Sequence, residues 1–278
     1  MSSIELLSEC TSSELKSKDS NISLENISLD YGQSGKKFRA LENINLQLCS
    51  DDFVCVLGPS GCGKSSLLNI IAGYLTPSSG NVFIDGNSHT SPDPQVGVVF
   101  QQPNLLPWLN IQKNIEFGLK MKGASKAKRV EIASHYLELV GLRDYDKSYP
   151  HQLSGGMKQR AAIARTLAAD PKIILLDEPF SALDALTREK MQKHLYFIWE
   201  KTRKCLFFIT HDVDEALLLG NRIIIMHSNP GRIIKEYKNP LIRSKEQNFR
   251  KLRSQKEFFE MREYLIDQIQ EDDEKNNE

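Results

Sequence analysis

The sequence predicts an α/β protein with a buried, mainly parallel sheet, and three observations point there. The runs FVCVL (53–57), GVVF (97–100), KIILL (172–176), CLFFI (205–209) and RIIIM (222–226) are of strand length, rich in Ile, Leu and Val, and bounded by turns. Strands covered on both faces read this way. Helical patterns with apolar residues at three- and four-residue spacing separate the runs. A glycine-rich loop, GPSGCGKSS (58–66), joins one run directly to the apolar segment LLNIIAGYL. At 278 residues and 40% hydrophobic, the chain has enough apolar surface for one large domain with a subdomain.

The elements follow in order. Residues 1–20 are polar and rich in Ser, Glu and Lys, which predicts a loose extension. NISLENISLDY alternates as a half-buried strand does, but its phase changes between Leu24 and Ile27, so a bulge or break must absorb one residue. LENINLQL (41–48) alternates again, and YGQSGKK supplies the turn between them, giving the domain an antiparallel start. After FVCVL and its loop, a helix is expected from Gly63. Between about 103 and 168 the pattern turns helical in NIQKNIEFGLKMKG, SKAKRVEIASHYLELVG and SGGMKQRAAIARTLAAD, predicting a helical subdomain inserted into the α/β body of residues 21–240. Residues 241–278 read as a helical extension ending in an acidic tail, and the basic stretch RSKEQNFRKLRSQK as a solvated face or an interaction module.

Composition excludes several classes of function. Lys plus Arg and Asp plus Glu both number 36, so no charge excess draws the chain to nucleic acid. The five cysteines (Cys10, Cys49, Cys55, Cys62, Cys205) are odd in number, lack CxxC spacing and mostly sit in apolar runs, which suits a reducing cytosol. Neither a secretory leader nor a stretch of the ~20 apolar residues needed to span a membrane is expected.

Gly58-x4-Gly63-Lys64-Ser65, between strand and helix, has the sequence and context of a phosphate-binding loop. The loop comprises Gly58, Pro59, Ser60, Gly61, Cys62, Gly63, Lys64, Ser65 and Ser66. Its glycines let successive N–H groups point inward, and the helix adds its positive end. Lys64 would reach the β- and γ-phosphates and the Ser65 hydroxyl would bind Mg²⁺. Cys62 reads either as a thiol whose thiolate the amide dipoles favour or as a small side chain filling a tight turn.

A phosphate loop alone does not choose between a kinase, a GTPase and a motor. In IILLDEPF, Asp177 lies at the carboxyl end of a buried strand, where it can hold the Mg²⁺ shell. Glu178 follows it, placed to orient an attacking water. His211, in FFITHD, comes after another such strand and is placed to donate to the γ-phosphate. His89, His135, His151, His194 and His227 lack that setting. LSGGMKQR puts Ser154, Gly155 and Gly156 at a helix start, a second anion site beyond what one phosphate needs. The LLPWL run in Pro103–Asn110 offers Trp108 either to a partner or to the helical subdomain.

GPSGCGKSS, VFQQ, LSGGMKQR, IILLDEPFSALD and THD occur in the order and spacing of one family. Over residues 21–265 the chain resembles the ATP-binding subunits of ATP-binding-cassette (ABC) transporters. The resemblance implies an ABC ATPase domain of the phosphate-loop NTPase class, with an antiparallel β subdomain and an inserted helical subdomain, using ATP and Mg²⁺. It implies that Tyr31 stacks on adenine and that Gln101 senses Mg²⁺ and γ-phosphate. Ser154, Gly155 and Gly156 would touch the ATP of a second copy, and Asp184 would communicate across a head-to-tail homodimer. Membrane permease subunits and a solute-binding protein are the implied partners, and the cytoplasmic face of the membrane the implied location. LLPW and EMREYL narrow the likeness to nitrate, aliphatic sulfonate and taurine importers, taurine closest, while hydroxymethylpyrimidine importers share much of the pattern. An ABC ATPase without a transporter would carry tandem cassettes or a long coiled coil between Lys64 and Asp177, where only short helical patterns occur. A phosphate-loop kinase has no use for LSGG.

Overall fold

The structure, a computed structural model, describes residues 20–32, 38–242 and 248–275. The expected N-terminal extension up to residue 19, most of the YGQSGKK turn, the start of the basic stretch and the last three residues lie outside these. Two compact units are present, one of residues 1–93 with 202–278 and one of residues 94–201. In chain order the first begins with β1 (Ser20–Tyr31), β2 (Phe38–Cys49), β3 (Phe53–Leu57), α1 (Lys64–Ile71), β4 (Ser79–Ile84) and β5 (Asn87–Ser88). The second holds β6 (Val96–Val99), α2 (Ile111–Met121), α3 (Lys126–Leu139), α4 (Gly155–Ala168), β7 (Ile173–Asp177) and α5 (Ala185–Thr202). The chain returns to the first unit with β8 (Cys205–Ile209), α6 (Val213–Leu219), β9 (Arg222–His227), β10 (Arg232–Lys238), α7 (Phe249–Arg253) and α8 (Lys256–Lys275).

In the first unit, β1 lies between β2 and β4 in an antiparallel sheet. The phase break in NISLENISL is visible as a register shift between Leu24 and Ile27, where Asn26 takes a left-handed φ of 52°. Asn tolerates that region better than most residues, so the extra residue is absorbed there. β3 pairs in parallel with both β8 and β9, and β10 adds antiparallel to β9. FVCVL and CLFFI are buried at every position, as continuous apolar runs require. α8 packs on α6 and β9 through Phe258, Met261 and Leu265, all buried. Arg262 Nε donates to Asp214 Oδ1 at 2.9 Å, and the Tyr264 and Tyr237 hydroxyls lie 3.0 Å apart.

Arg222, at the start of β9, is a buried charge with two buried or half-buried partners. Its Nη1 pairs with Asp52 and its Nε donates to Glu236 Oε1 at 2.8 Å, while Asp52 Oδ2 also accepts from the Cys49 N–H at 2.7 Å. Removing the guanidinium would leave buried carboxylate charge uncompensated. Arg222→Ala is therefore expected to lower unfolding free energy by about 3–5 kcal/mol, read as a reduced urea midpoint at unchanged m-value.

In the second unit β6 and β7 are parallel, and α2, α3 and α4 pack together. Their N-termini are capped by Asn110, Ser125 and Ser154, whose side-chain oxygens accept backbone N–H groups. Asn114, fully buried on α2, accepts from the Leu106 N–H at 2.8 Å and donates to the carbonyls of Leu106, Leu109 and Asn110. One side chain thus satisfies much of the loop before α2. The loop is held in place with Trp108 facing outward, 70% exposed. Among the described residues no helix is long and apolar enough to cross a membrane.

Candidate nucleotide site

The first unit supplies the glycine loop. β3 ends at Leu57 and α1 begins at Lys64, with Gly63 at the N-cap in a left-handed conformation (φ 93°) and no side chain capping the helix. A helix start without a side-chain cap suits an anion. A Cβ on Gly58 would lie 2.3 Å from the Met226 carbonyl oxygen and 2.9 Å from Cys62 Sγ, so only glycine fits. Lys64 is buried, and its Nζ donates to the carbonyls of Gly58 at 2.8 Å and Pro59 at 2.7 Å. Cys62 is buried beneath the loop, its Sγ 3.7 Å from Lys64 Nζ. Ser60, Gly61 and Ser65 are exposed on the loop.

Two further residues stand beside this loop in the same unit. Register Val56↔Ile209 puts the end of β8 alongside the end of β3, and the Thr210 N–H donates to Val56 O at 3.2 Å. His211 follows at once and is exposed. Its turn is locked on both sides, because Thr210 Oγ1 donates to Glu215 Oε2 at 2.6 Å and accepts from the Asp212 N–H, while Asp212 caps α6. Tyr31 closes β1 with its hydroxyl 3.2 Å from Ser66 Oγ on α1.

The second unit gathers the acids. The β6/β7 register pairs Val99 with Leu176, so Gln101 and Glu178, each two residues further on, leave the sheet side by side. Gln101 Nε2 donates to Glu178 Oε2 at 3.3 Å. Glu178 has a left-handed φ of 44°, a conformation that costs a non-glycine residue about 1–3 kcal/mol and is kept where the surroundings over-determine it. Its carbonyl accepts from both the N–H and the hydroxyl of Ser181. Asp177, half-buried, ends β7 just before it.

Ser154 caps α4 by accepting from the Met157 N–H at 3.3 Å. A Cβ on Gly155 would meet nothing within 4 Å, whereas one on Gly156 would lie 3.2 Å from Ala182 O. The helix start is thus open at Gly155 and close-packed at Gly156 against the SALD turn. Asp184 ends that turn and caps α5, its Oδ1 accepting from the Thr187 N–H at 3.0 Å; hydrogen bonds from Thr187 hold its carboxyl below the usual range.

The family model described as ABC transporter matches residues 41–181. An uncharacterised ABC transporter ATP-binding protein of Methanocaldococcus jannaschii is 45% identical, over 91% of this chain and 94% of its own length. The chain belongs to the ABC transporter family. A taurine import ATP-binding protein of Roseobacter denitrificans is 44% identical, covering 89% of this chain and 93% of that protein. A nitrate import ATP-binding protein of Synechocystis is 49% identical over 71% and 74%. Among solved structures, a dimeric post-hydrolysis ATP-binding cassette bound to ADP and phosphate aligns with a TM-score of 0.73 at 36% identity, over 78% of this chain and 98% of that one. The expected ABC ATPase fold is therefore the fold of this chain.

The cassette also uses residues that sequence reasoning passed over. Gln159 on α4 is buried and donates from Nε2 to the Phe100 carbonyl at 3.1 Å; Thr166 Oγ1 donates to Val98 O and Arg165 Nη1 to Asn104 O. One face of α4 therefore holds both ends of the segment that carries Gln101. Only their burial and partners separate these residues from the other polar side chains of a polar helix.

Proposed function

We propose that this chain is the ATP-hydrolysing subunit of an importer for a small anionic solute such as taurine, an aliphatic sulfonate or nitrate, acting as a homodimer on the cytoplasmic face of the membrane. The observation that carries the hydrolytic part is the pairing of Gln101 with Glu178 at the end of β6 and β7. It gives a carboxylate at a buried strand end an orienting amide. The solute class rests on relatives named as taurine and nitrate import ATP-binding proteins.

The loop N–H groups and Lys64 bind the β- and γ-phosphates, whose oxygens take over the ammonium from the Gly58 and Pro59 carbonyls. Glu178 orients and deprotonates the attacking water, and His211, its turn fixed by Thr210 and Asp212, donates to the γ-phosphate. Ser65, Asp177 and Gln101 offer a hydroxyl, a carboxylate and an amide oxygen, a hard oxygen set that suits Mg²⁺. Held by these residues, Mg²⁺ would supply charge neutralisation to the phosphate tail. Ser154, Gly155 and Gly156 offer a second cradle, used on the nucleotide of the partner copy. A solute-binding protein is the further partner of such an importer.

The purified chain should hydrolyse ATP, and reconstitution with its permease should couple that activity to accumulation of one of these anions; ATP hydrolysis without accumulation of any would remove the solute reading. Pro103–Asn110 is the proposed permease contact, a reading supported by Trp108, 70% exposed on an anchored loop. Trp108→Ala is expected to weaken permease association about tenfold, as loss of an aromatic anchor does, while leaving ATP binding and melting temperature unchanged. Pull-down and thermal unfolding of the same variant decide it, since unaltered association would move the contact elsewhere.

A further inference from the structure

We propose that Phe38 is a second aromatic contact of the nucleobase site, so that the base of ATP stacks on a platform formed by Tyr31 and Phe38. This rests on the nucleotide reading above. Tyr31 and Phe38 are direct partners in the antiparallel β1/β2 pair. Directly opposed residues project from the same face of a sheet, with Cβ atoms about 4.5–5.5 Å apart. The preceding partners, Asp30 and Arg39, project from the opposite face and are joined there at 2.8 Å from Arg39 Nε to Asp30 Oδ1.

The face shared by Tyr31 and Phe38 is the one turned to the phosphate loop, because the Tyr31 hydroxyl lies 3.2 Å from Ser66 Oγ. β2 itself runs against the end of that loop. A Cβ on Gly63 would meet Leu41 Cδ2 at 2.5 Å and Ala40 O at 3.2 Å, so Phe38 enters the strand just two residues before the loop contact.

Exposure makes the pair informative. Tyr31 is 44% and Phe38 56% exposed, whereas Phe53, Phe207, Phe208 and Tyr237, on the other sheet of the same unit, are fully buried. One exposed aromatic needs no explanation, but two opposed on one face beside an anion cradle form a platform of the kind that bases stack on. A stacking wall reads π-surface and not hydrogen-bonding edges. Phe38 should therefore favour purine over pyrimidine triphosphates while barely separating ATP from GTP.

The test is calorimetric titration of the full-length protein with ATP, CTP and inorganic tripolyphosphate, each with Mg²⁺. Phe38→Ala and Phe38→Leu are expected to raise the Kd for ATP about tenfold, the loss of one base–aromatic stack. Tripolyphosphate affinity should not change, the preference for ATP over CTP should shrink, and Phe38→Trp should keep wild-type affinity. In steady-state ATPase assays KM should rise at constant kcat. Unchanged ATP affinity in both Phe38→Ala and Phe38→Leu would overturn the proposal, as would equal weakening of ATP and tripolyphosphate, which would mean that Phe38 shapes the loop. If the unsubstituted protein binds neither ATP nor tripolyphosphate, the nucleotide reading itself falls.

Discussion

Glu178→Gln is expected to lower single-turnover ATP hydrolysis by at least about 10²-fold, the usual cost of a lost general base, while ATP still binds. The amide keeps the size of the side chain and one acceptor oxygen but loses the charge that polarises water. Glutamine also leaves Gln101 an acceptor, so the contact now at 3.3 Å between Gln101 Nε2 and Glu178 Oε2 survives. The left-handed backbone at residue 178 and the carbonyl contacts to Ser181 do not depend on the carboxylate. Ground-state structure should therefore be intact and the defect confined to the chemical step. The ATP-bound dimer should accumulate, because hydrolysis no longer removes the charge that bridges the two copies. Rapid-quench measurement with stoichiometric ATP separates the outcomes. Rates within a few-fold of wild type would take Glu178 out of this role.

Mixing Lys64→Ala and Ser154→Arg chains, each inactive alone, should restore ATPase activity to about a quarter of wild type, because half the dimers are mixed and each has one intact site. The loop ending in Lys64 would surround one phosphate tail, and it has glycine at 58 because nothing larger fits beneath Met226 O. The start of α4 is open at Gly155, and the Ser154 cap accepts only the Met157 N–H there. Two copies facing head-to-tail satisfy both cradles on both nucleotides, and Ser154→Arg puts a bulky cation where the partner's phosphate would rest. In the mixed dimer both defects fall on one site. If heterodimers form and activity stays at the level of the parents, either the site is not shared or the two sites must fire together. ATP-dependent dimerisation of Ser154→Arg alone distinguishes these, since only a shared site requires it to be lost.

Much of this protein was legible locally. The fully buried β3 and β8 were written as unbroken apolar runs, the break in β1 as a phase change resolved at Asn26, and the loop from Gly58 to Ser66 as glycines at fixed spacing between strand and helix. Such features depend on a few consecutive residues, because side-chain period and backbone freedom are properties of a short stretch of chain. What joins distant stretches was not written there. That Gln101 meets Glu178 follows from the Val99↔Leu176 register, that Asn114 anchors the loop carrying Trp108 from helix packing, and that Phe38 stands opposite Tyr31 from strand pairing. Gln159 and Thr166 look like any polar residues of a helix until burial aims them at the carbonyls of Phe100 and Val98. Residue types and their local spacing specify which chemical groups this protein has and on what elements they sit. Which of them stand together depends on the folded chain, because a register or a buried hydrogen bond is settled by the summed packing of segments far apart in sequence.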